Sequence, residues 1–584
     1  MTVAAFGPLA GHPPKVKRIG VLDVETWGLD ARAEAFALGV YFDERGPRRF
    51  SDLDSMRSFL LGRNTRGRWL FAHNGGGFDY MMLFGNYLSA YPDSTLMSGG
   101  NLISLRIPEP GGKHIHRFCD SLNLFRTSLA EIGKSLGEAK GETPEKFLRG
   151  ERSQGITEED YAYCELDCRI LYHALEALQA EFGELRPTVS SLAMSVYRRR
   201  YMSATYWVAQ EDDLLAREAY YGGRVEAYRL GYIEEPTYLY DINSLYPYAM
   251  VTAPIPDPER MRMRDAHGAT EVPADAEGVA WARVSIPKGI NLPPLPYRQG
   301  GKLLFPVGEF SGAWTFLELR LLSLVEGARM VISKTFAGPA LEVNPFVTYV
   351  TDMYKNKRET TGLKRDFYKL MLNGLYGKFG EIHKTKSIYA PSFDPAQEAS
   401  LLKEHGPQAA PVWKPISQAR EDGYWSWQTP NGGRANNSLY SWAAYIAARA
   451  RVINWQTQMQ AWEEHDTSTF YTDTDSFLVD QRLPAALVGD ELGMLKAVKT
   501  QVRAVWGAKH YLTDEGLVLK GVRRRAVPKG EAGFAWPSVS GVRHAIRLNT
   551  PAGMPMEMQR EPTGEYVKRQ VLEGGETLPV EVTA

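Results

Sequence analysis

YTDTDSF, residues 471–477, sets Asp473 and Asp475 one residue apart in a run that otherwise reads as a buried strand or hairpin. Side chains alternate along a strand, so the two carboxylates are expected on one face and Thr472 and Thr474 on the other. Like charges held that close call for a cation between them, and hard divalent ions such as Mg²⁺ take oxygen ligands of this kind. Alone, the run reads more simply as a polar turn, because Asp, Thr and Ser favour turns. The rest of the chain has to decide.

Bulk properties narrow the field. At 584 residues the chain has room for roughly three to five compact units. A formal net charge of -1 and a pI near 6.9 confine any nucleic-acid contact to local basic patches. Cys119, Cys164 and Cys168 form no CxxC pair, which argues against a disulfide framework, a structural zinc or an iron–sulfur cluster. The amino-terminal stretch lacks a charged region followed by an apolar core, and no apolar run reaches membrane-spanning length. A non-secreted, cytoplasmic chain with no membrane partner is expected.

Upstream, the strand RIGVLDVET (18–26) repeats the acidic pair as Asp23 and Glu25. AHNGGGFDY (72–80) adds Asp79, and YCELD (163–167) adds Asp167 with Tyr163 one helical turn before it. The helix carrying them is expected to begin near Thr157, with Asp160 completing a capping box. Four carboxylates and a tyrosine suit phosphodiester hydrolysis by two divalent ions about 3.5 to 4 Å apart, with Tyr163 orienting the attacking water. Each piece alone could be a solvated surface; the order DxE, NxxxFD, YxxxD within one domain-sized stretch favours the chemistry.

A break is expected near 180–190, at GELRPTV (183–189). Beyond it, YDINSLYPYAM (240–250) closes an apolar strand with Asp241 and places Tyr246 five residues on. KRDFYKLMLNGLYGKFG (364–380) reads as a helix whose Arg365, Lys369, Asn373 and Tyr376 share a face, with Lys357 extending the cationic surface. A stripe of cations without acids suits a nucleoside triphosphate, Lys369 serving as a point charge for phosphate and Tyr376 as a ring for the base. Asp241 with Asp475, and Asp473 beside it, then completes a second two-metal site, for phosphoryl transfer to an incoming nucleotide. Residues 381–437 mix Pro, Gly, charge and aromatics and read as an irregular insertion, and the tail after about 540 is rich in turn signals.

On these motifs the chain resembles a family B DNA polymerase of the protein-primed, φ29-like branch. Asp23/Glu25, Asn74/Phe78/Asp79 and Tyr163/Asp167 match the three exonuclease motifs; DINSLYP, KLMLNGLYG and YTDTDS match polymerase motifs A, B and C, and KHY (509–511) matches the KxY motif. The resemblance implies an α/β multidomain fold, an RNase H-like 3′–5′ exonuclease domain (1–185) followed by a right-hand palm/fingers/thumb polymerase domain (186–584). Within the latter it implies a palm at about 186–252 and 438–540, a first insertion at about 253–345, fingers at about 346–380, a second insertion at about 381–437 and a thumb at about 541–584.

The roles it implies are specific. Asp241 and Asp475, with Asp473 adjacent, would be metal ligands for synthesis; Asp23, Glu25, Asp79 and Asp167 would be those for hydrolysis, with Lys140 as a catalytic lysine. Tyr246 would exclude a ribose 2′-hydroxyl, Lys357 and Lys369 would hold the triphosphate, and Asn373, Tyr376 and Gly377 would line the nucleotide pocket. Lys509, Tyr511 and Arg449 would grip the primer, and Tyr220, Gly222 and Gly223 of YYGG would meet the template. Thr26, His73, Asn74, Phe78, Ser121 and Leu122 would contact single-stranded DNA. The implied cofactor is Mg²⁺ or Mn²⁺, two per active site. The implied partners are DNA template and primer, dNTPs and a terminal protein primer, bound by a monomer whose second insertion supports processive strand displacement.

Two departures stand out. Gly374 occupies a position where the family commonly has serine, and YIAAR (445–449) puts Tyr445 where the family has threonine. Priming from an oligonucleotide, or without a primer, is the alternative within polymerases. A stand-alone nuclease or DNA-binding module would not need motifs A, B and C, and a reverse transcriptase would carry adjacent aspartates.

Overall fold

The computed structural model describes residues 3–9, 14, 16–90, 94–98, 101–209, 213–381, 387–390, 399, 412–415, 423–428, 435, 437–523, 526–529, 533–541, 544, 552–561 and 565–583. RIGVLDVET becomes β1 (Arg18–Thr26), and its alternation feeds two cores: Ile19 and Val21 enter one, Leu22 and Val24 the other. A strand buried on both faces belongs in the middle of a sheet. Accordingly β1 pairs antiparallel with β2 (Phe36–Asp43), which carries β3 (Gly46–Phe50) at its far edge. On its other side β1 runs parallel to β4 (Arg68–Ala72). With β5 (Thr95–Ser98), β6 (Asn101–Pro108) and β7 (Ile115–Asp120) the seven strands take the order β3-β2-β1-β4-β7-β6-β5.

Helix α1 (Glu158–Phe182) lies across β1 and β2. The Thr157–Asp160 capping box forms: Asp160 accepts from Thr157 N, and Glu158, Glu159 and Asp160 put negative charge on the first turn, where the helix dipole favours it. Gly183, at φ +79°, ends the helix.

The second half includes β8 (Val225–Ala227), β9 (Tyr238–Ile242) and α2 (Leu245–Thr252). Residues 253–345 supply β10 (Arg262–Ala269), β11 (Glu277–Ile286), β12 (Val307–Thr315), α3 (Phe316–Leu322) and β13 (Arg329–Gly338). Helices α4 (Val347–Glu359) and α5 (Gly362–Gly374) pack on each other, and α6 (Tyr440–His465) leads into the hairpin β14 (Thr469–Asp473) and β15 (Ser476–Val479), followed by β16 (Leu495–Val498). A five-stranded sheet ordered β8-β14-β15-β9-β16 holds the central acidic strands. The tail, where the sequence offers only turn signals, ends in β17 (Glu581–Thr583), which runs parallel to β12 and completes the sheet β10-β13-β11-β12-β17.

Within 381–437 the reading of an irregular segment is corrected in part. Strands 387–390, 412–415 and 423–428 form one antiparallel three-stranded sheet. Most of the rest of that segment, and with it the expected part in strand displacement, lies outside the described residues.

One apolar core joins the two halves, running from Ile19 and Leu171 to Ile242, Met371 and Trp442. Tyr368 of α5 packs edge-on to Phe182 with ring centroids 5.7 Å apart, and Lys364 pairs with Glu181 at 3.0 Å. Among the described residues no helix is long and apolar enough to cross a membrane.

Candidate active sites

The first acidic centre is built on β1. Asp23 and Glu25 share its half-buried face, as strand alternation requires. Val24 N donates to Asp79 Oδ1 at 3.1 Å, which fixes Asp79, the first residue of the helix Asp79–Ala90, against the strand. From α1, Cys164 Sγ donates to Asp23 Oδ2 at 3.3 Å, and the donor atoms of Asp23, Glu25 and Cys164 lie within 4.8 Å of one another. Asp167 Oδ2 is ion-paired with Lys140 Nζ, while Asp167 Oδ1 is buried without a hydrogen-bond partner among the described residues. Tyr163 OH lies 2.9 Å from Thr143 Oγ1.

The electrostatics follow from this crowding. Burial and then the charge of Asp167 push Asp23 up to about 7. Burial and then Asp23 hold both Glu25 and Asp79 well above the carboxylate range. Asp167 is raised by burial against the opposing pull of Lys140, and Lys140 itself is raised, the carboxylates of Asp167 and Asp23 overcoming its burial. Oxygen donors that repel one another, with a buried orphan oxygen, fit divalent cations.

The loop between β4 and the Asp79 helix is set by close approach. Asn74 adopts φ +62°, and a Cβ on Gly75 or Gly76 would come within 2.5 Å of Ala72 Cβ or Leu102 Cβ. Asp120, absent from the sequence reading, organises this turn by accepting from Asn74 N (2.9 Å), Gly76 N (3.0 Å) and Leu122 N (3.0 Å). His73 bridges Ser121 Oγ (3.0 Å) and Thr127 O (2.9 Å), and burial lowers it to about 4, so it is neutral. Thr26 is buried with its hydroxyl on Gly28 O, and Phe78 packs partly buried on the second core.

At the second centre the expectation that Asp473 and Asp475 share a strand face is corrected. Asp473 pairs with Ser476 across a two-residue turn, Thr474 takes φ +65°, and strand alternation therefore stops at Asp473. The carboxylate of Asp473 is engaged by Lys509, whose Nζ lies 2.6 Å from both oxygens. Asp475 works with Asp241 instead: Ile242 N donates to Asp475 O at 2.7 Å, and burial followed by the charge of Asp475 pushes Asp241 up to about 6. Burial also raises Asp475. Lys496, opposite Asp241 across β9 and β16, is a neighbouring cation that sequence reading passed over.

Around this pair stand the expected nucleotide-site residues. Lys357 Nζ reaches Ser244 Oγ at 3.4 Å, and its pKa is lowered by burial and then by the charges of Lys369, Arg365 and Lys496; three of these cations, Lys496, Lys369 and Lys357, act on Asp241. Lys369, Asn373 and Gly377 are exposed. Tyr246 and Tyr376 stack face to face, centroids 3.9 Å apart and planes 6° apart, so one face of the ring expected to meet a base is occupied by Tyr246. Burial and then Tyr246 raise Tyr220 to about 12. A Cβ on Gly223 would meet Thr474 at 2.5 Å, which locks the YYGG loop to the acidic hairpin.

Arg451, also missed, holds that loop. It pairs with Glu318 of α3 at 2.7 Å, both almost fully buried, and donates to Tyr221 O (2.7 Å) and Gly222 O (3.0 Å). Arg449 donates to Thr252 Oγ1 at 3.2 Å. Tyr445, in place of the family threonine, is fully buried and bonds Glu277 Oε2, so its hydroxyl serves the 253–345 sheet. Lys509 N donates to Tyr471 OH at 2.9 Å, and Tyr511 packs on the Tyr471 ring.

A pH prediction follows. A carboxylate raised in the folded chain binds more protons there than when unfolded, so its contribution to stability falls as pH rises through the interval between the two values. For Asp23 that interval runs from 3.8 to about 7. In chelator, Asp23→Asn is therefore expected to gain on the wild type as pH rises across it, measured by thermal unfolding, and Mg²⁺ should shrink the gap by stabilising the wild type. A gap independent of pH would contradict the assignment.

A mixed parallel and antiparallel sheet, followed by a second sheet that presents acidic residues beside a cationic helix, is the two-part architecture that the resemblance implies. Comparison with known proteins agrees. A family model described as DNA polymerase type B, organellar and viral, matches residues 140–404. A probable DNA polymerase of Podospora anserina is 25% identical over 483 residues, 70% of this chain and 38% of that protein. The DNA-directed DNA polymerase of Enterobacteria phage PRD1 is 26% identical over 378 residues, 62% of each chain. The chain thus spans less than two thirds of the length of these relatives.

Phi29 DNA polymerase complexed with primer-template DNA and incoming nucleotide superposes with a TM-score of 0.66 at 16% identity, covering 93% of this chain and all of that one. The same polymerase with single-stranded DNA gives 0.62 at 17%, covering 92% and 99%. The chain has the fold of Phi29 DNA polymerase, and its resemblance to protein-primed family B DNA polymerases is borne out.

Proposed function

We propose that the chain is a DNA-directed DNA polymerase that extends a primer on a template at the Asp241/Asp475 centre and removes nucleotides from a 3′ end at the Asp23/Glu25/Asp79/Asp167 centre. The observation that carries the reading is the pairing of two mutually repelling, half-buried carboxylates, Asp241 and Asp475, with the cations Lys357, Lys369 and Lys496.

Asp241 and Asp475 would hold divalent Mg²⁺ or Mn²⁺, which when bound supplies charge neutralisation at the reacting phosphate and activates the attacking oxygen. Lys357 and Lys369 bind the triphosphate and draw charge toward its leaving end. Asp473 keeps Lys509 extended toward the primer end, and Tyr511 backs it. In the other centre Lys140 neutralises Asp167, and Thr143 orients Tyr163 toward the attacking water. Priming from a terminal protein, strand displacement and action in a host cytoplasm as a monomer belong to this reading on the strength of the family resemblance.

The test is insertion of each of the four dNTPs opposite each template base on a labelled primer with Mg²⁺. Insertion that follows the template supports the reading; a product independent of template base contradicts it. The stacked Tyr246 gives a sharper expectation. If its ring bars a 2′-hydroxyl, Tyr246→Val raises ribonucleotide relative to deoxyribonucleotide insertion by on the order of 10²-fold, because a steric barrier is removed. Unchanged sugar preference in single-nucleotide kinetics would remove Tyr246 from that role.

A further inference from the structure

Among the described residues the sheet β10-β13-β11-β12-β17 is filled on one face and open on part of the other. Ala280, Ala282, Val284 and Ile286 of β11 pack with Phe316, Leu319 and Leu322 of α3 on the filled side. On the opposite side Val279, Ala313 and Phe336 are covered by Tyr440 and Ala444 of α6, by Ala216 and Ala219, and by Met261, and among the described residues the apolar cover ends there. The next residue of β11 on that face is Trp281, which sits on a central strand and is 41% exposed.

Register sets its neighbours. Lys334 stands opposite Trp281 across β13, Val331, 50% exposed, opposite Arg283, and Arg329 opposite Ser285. Lys334, Arg283 and Arg329 are all exposed. The acids nearby are Glu309, which is bonded to Arg283 at 2.7 Å, and Asp265, opposite Lys334 on the edge strand. A single exposed apolar side chain needs no explanation. An indole on a central strand of an open sheet, with cations one strand spacing away, has the components of a surface for unpaired bases: a ring for stacking and charges for the backbone. Duplex DNA would offer no base face to that ring, and an acidic peptide would leave it unused.

We infer that this open face is a track for single-stranded DNA, separate from both acidic centres. The choice of DNA rests on the polymerase reading; the requirement for unpaired bases rests on Trp281. The intact protein, in chelator so that neither centre cleaves, is irradiated with an oligothymidylate carrying 5-iodouracil, and the adduct is mapped. The expected result is an adduct at Trp281 that unlabelled oligothymidylate competes away, that weakens with salt, and that falls several-fold in Lys334→Ala.

No adduct at Trp281 overturns the inference. Equal competition by duplex DNA also overturns it, and equal competition by polyglutamate assigns the face to an acidic protein instead. Single-nucleotide insertion by the wild type and Trp281→Ala, measured alongside, separates the two readings. Normal insertion in both with no adduct removes the track alone, and absent insertion in the wild type removes the polymerase reading alone.

Discussion

Asp475→Asn is expected to lower template-directed extension by several powers of ten while shortening of single-stranded DNA from its 3′ end continues. The substitution keeps the size of the side chain and the backbone bond from Ile242 N, so the hairpin stays in place. What it removes is the charge that, after burial, pushes Asp241 up to about 6. A cation held by two carboxylates would lose one of them, and stabilisation of the transferring phosphate worth several kcal/mol goes with it, at a factor of ten per 1.36 kcal/mol. Asp473→Asn should act differently, because its carboxylate is bound to Lys509. It should weaken primer binding more than it slows bound primer. Normal extension by Asp475→Asn, in a gel assay on a labelled primer, would remove Asp475 from the reaction.

The mirror experiment has an effect of similar size. Asp23→Ala, or Asp167→Ala, is expected to abolish 3′–5′ degradation and leave extension near wild type. Asp23 sits among three other carboxylates, and its partners are local: the Cys164 thiol, the charges of Asp167 and Lys140. Asp167→Ala additionally strips Lys140 of its ion-pair partner, leaving a part-buried cation beside Asp23. The lost rate should again amount to several kcal/mol of transition-state stabilisation. Asp23→Ala removes repulsion in metal-free protein, so it should not unfold it. Persistent degradation by purified Asp23→Ala would contradict the first centre.

The two centres differed in how far they could be read from sequence. Asp23 and Glu25 both lie within a nine-residue strand, where alternation fixes the face of both. The Thr157–Asp160 box and Tyr163 with Asp167 are local to one helix, so spacing was enough. At 471–477 the same reasoning failed, because a two-residue turn interrupts alternation between Asp473 and Asp475, and the turn is set by pairing with residues further along the chain.

Long-range partners were the least legible. Asp120 gives no motif of its own, and its task appears only when β7 brings it under the Asn74 turn. The hydroxyl of Tyr445 finds Glu277 across 168 residues, and Arg451 finds Glu318 across 133. β17, three residues near the end of the chain, completes a sheet begun at Arg262, and three residues carry too little periodicity to announce a strand.

The most direct measurement follows one end-labelled primer annealed to a longer template, in Mg²⁺, first without and then with the four dNTPs. The predicted result is shortening from the 3′ end without dNTPs, growth to the length of the template with them, and neither when chelator replaces the metal. A primer that fails to grow with dNTPs, or that grows by the same residues whatever the template, would contradict the account.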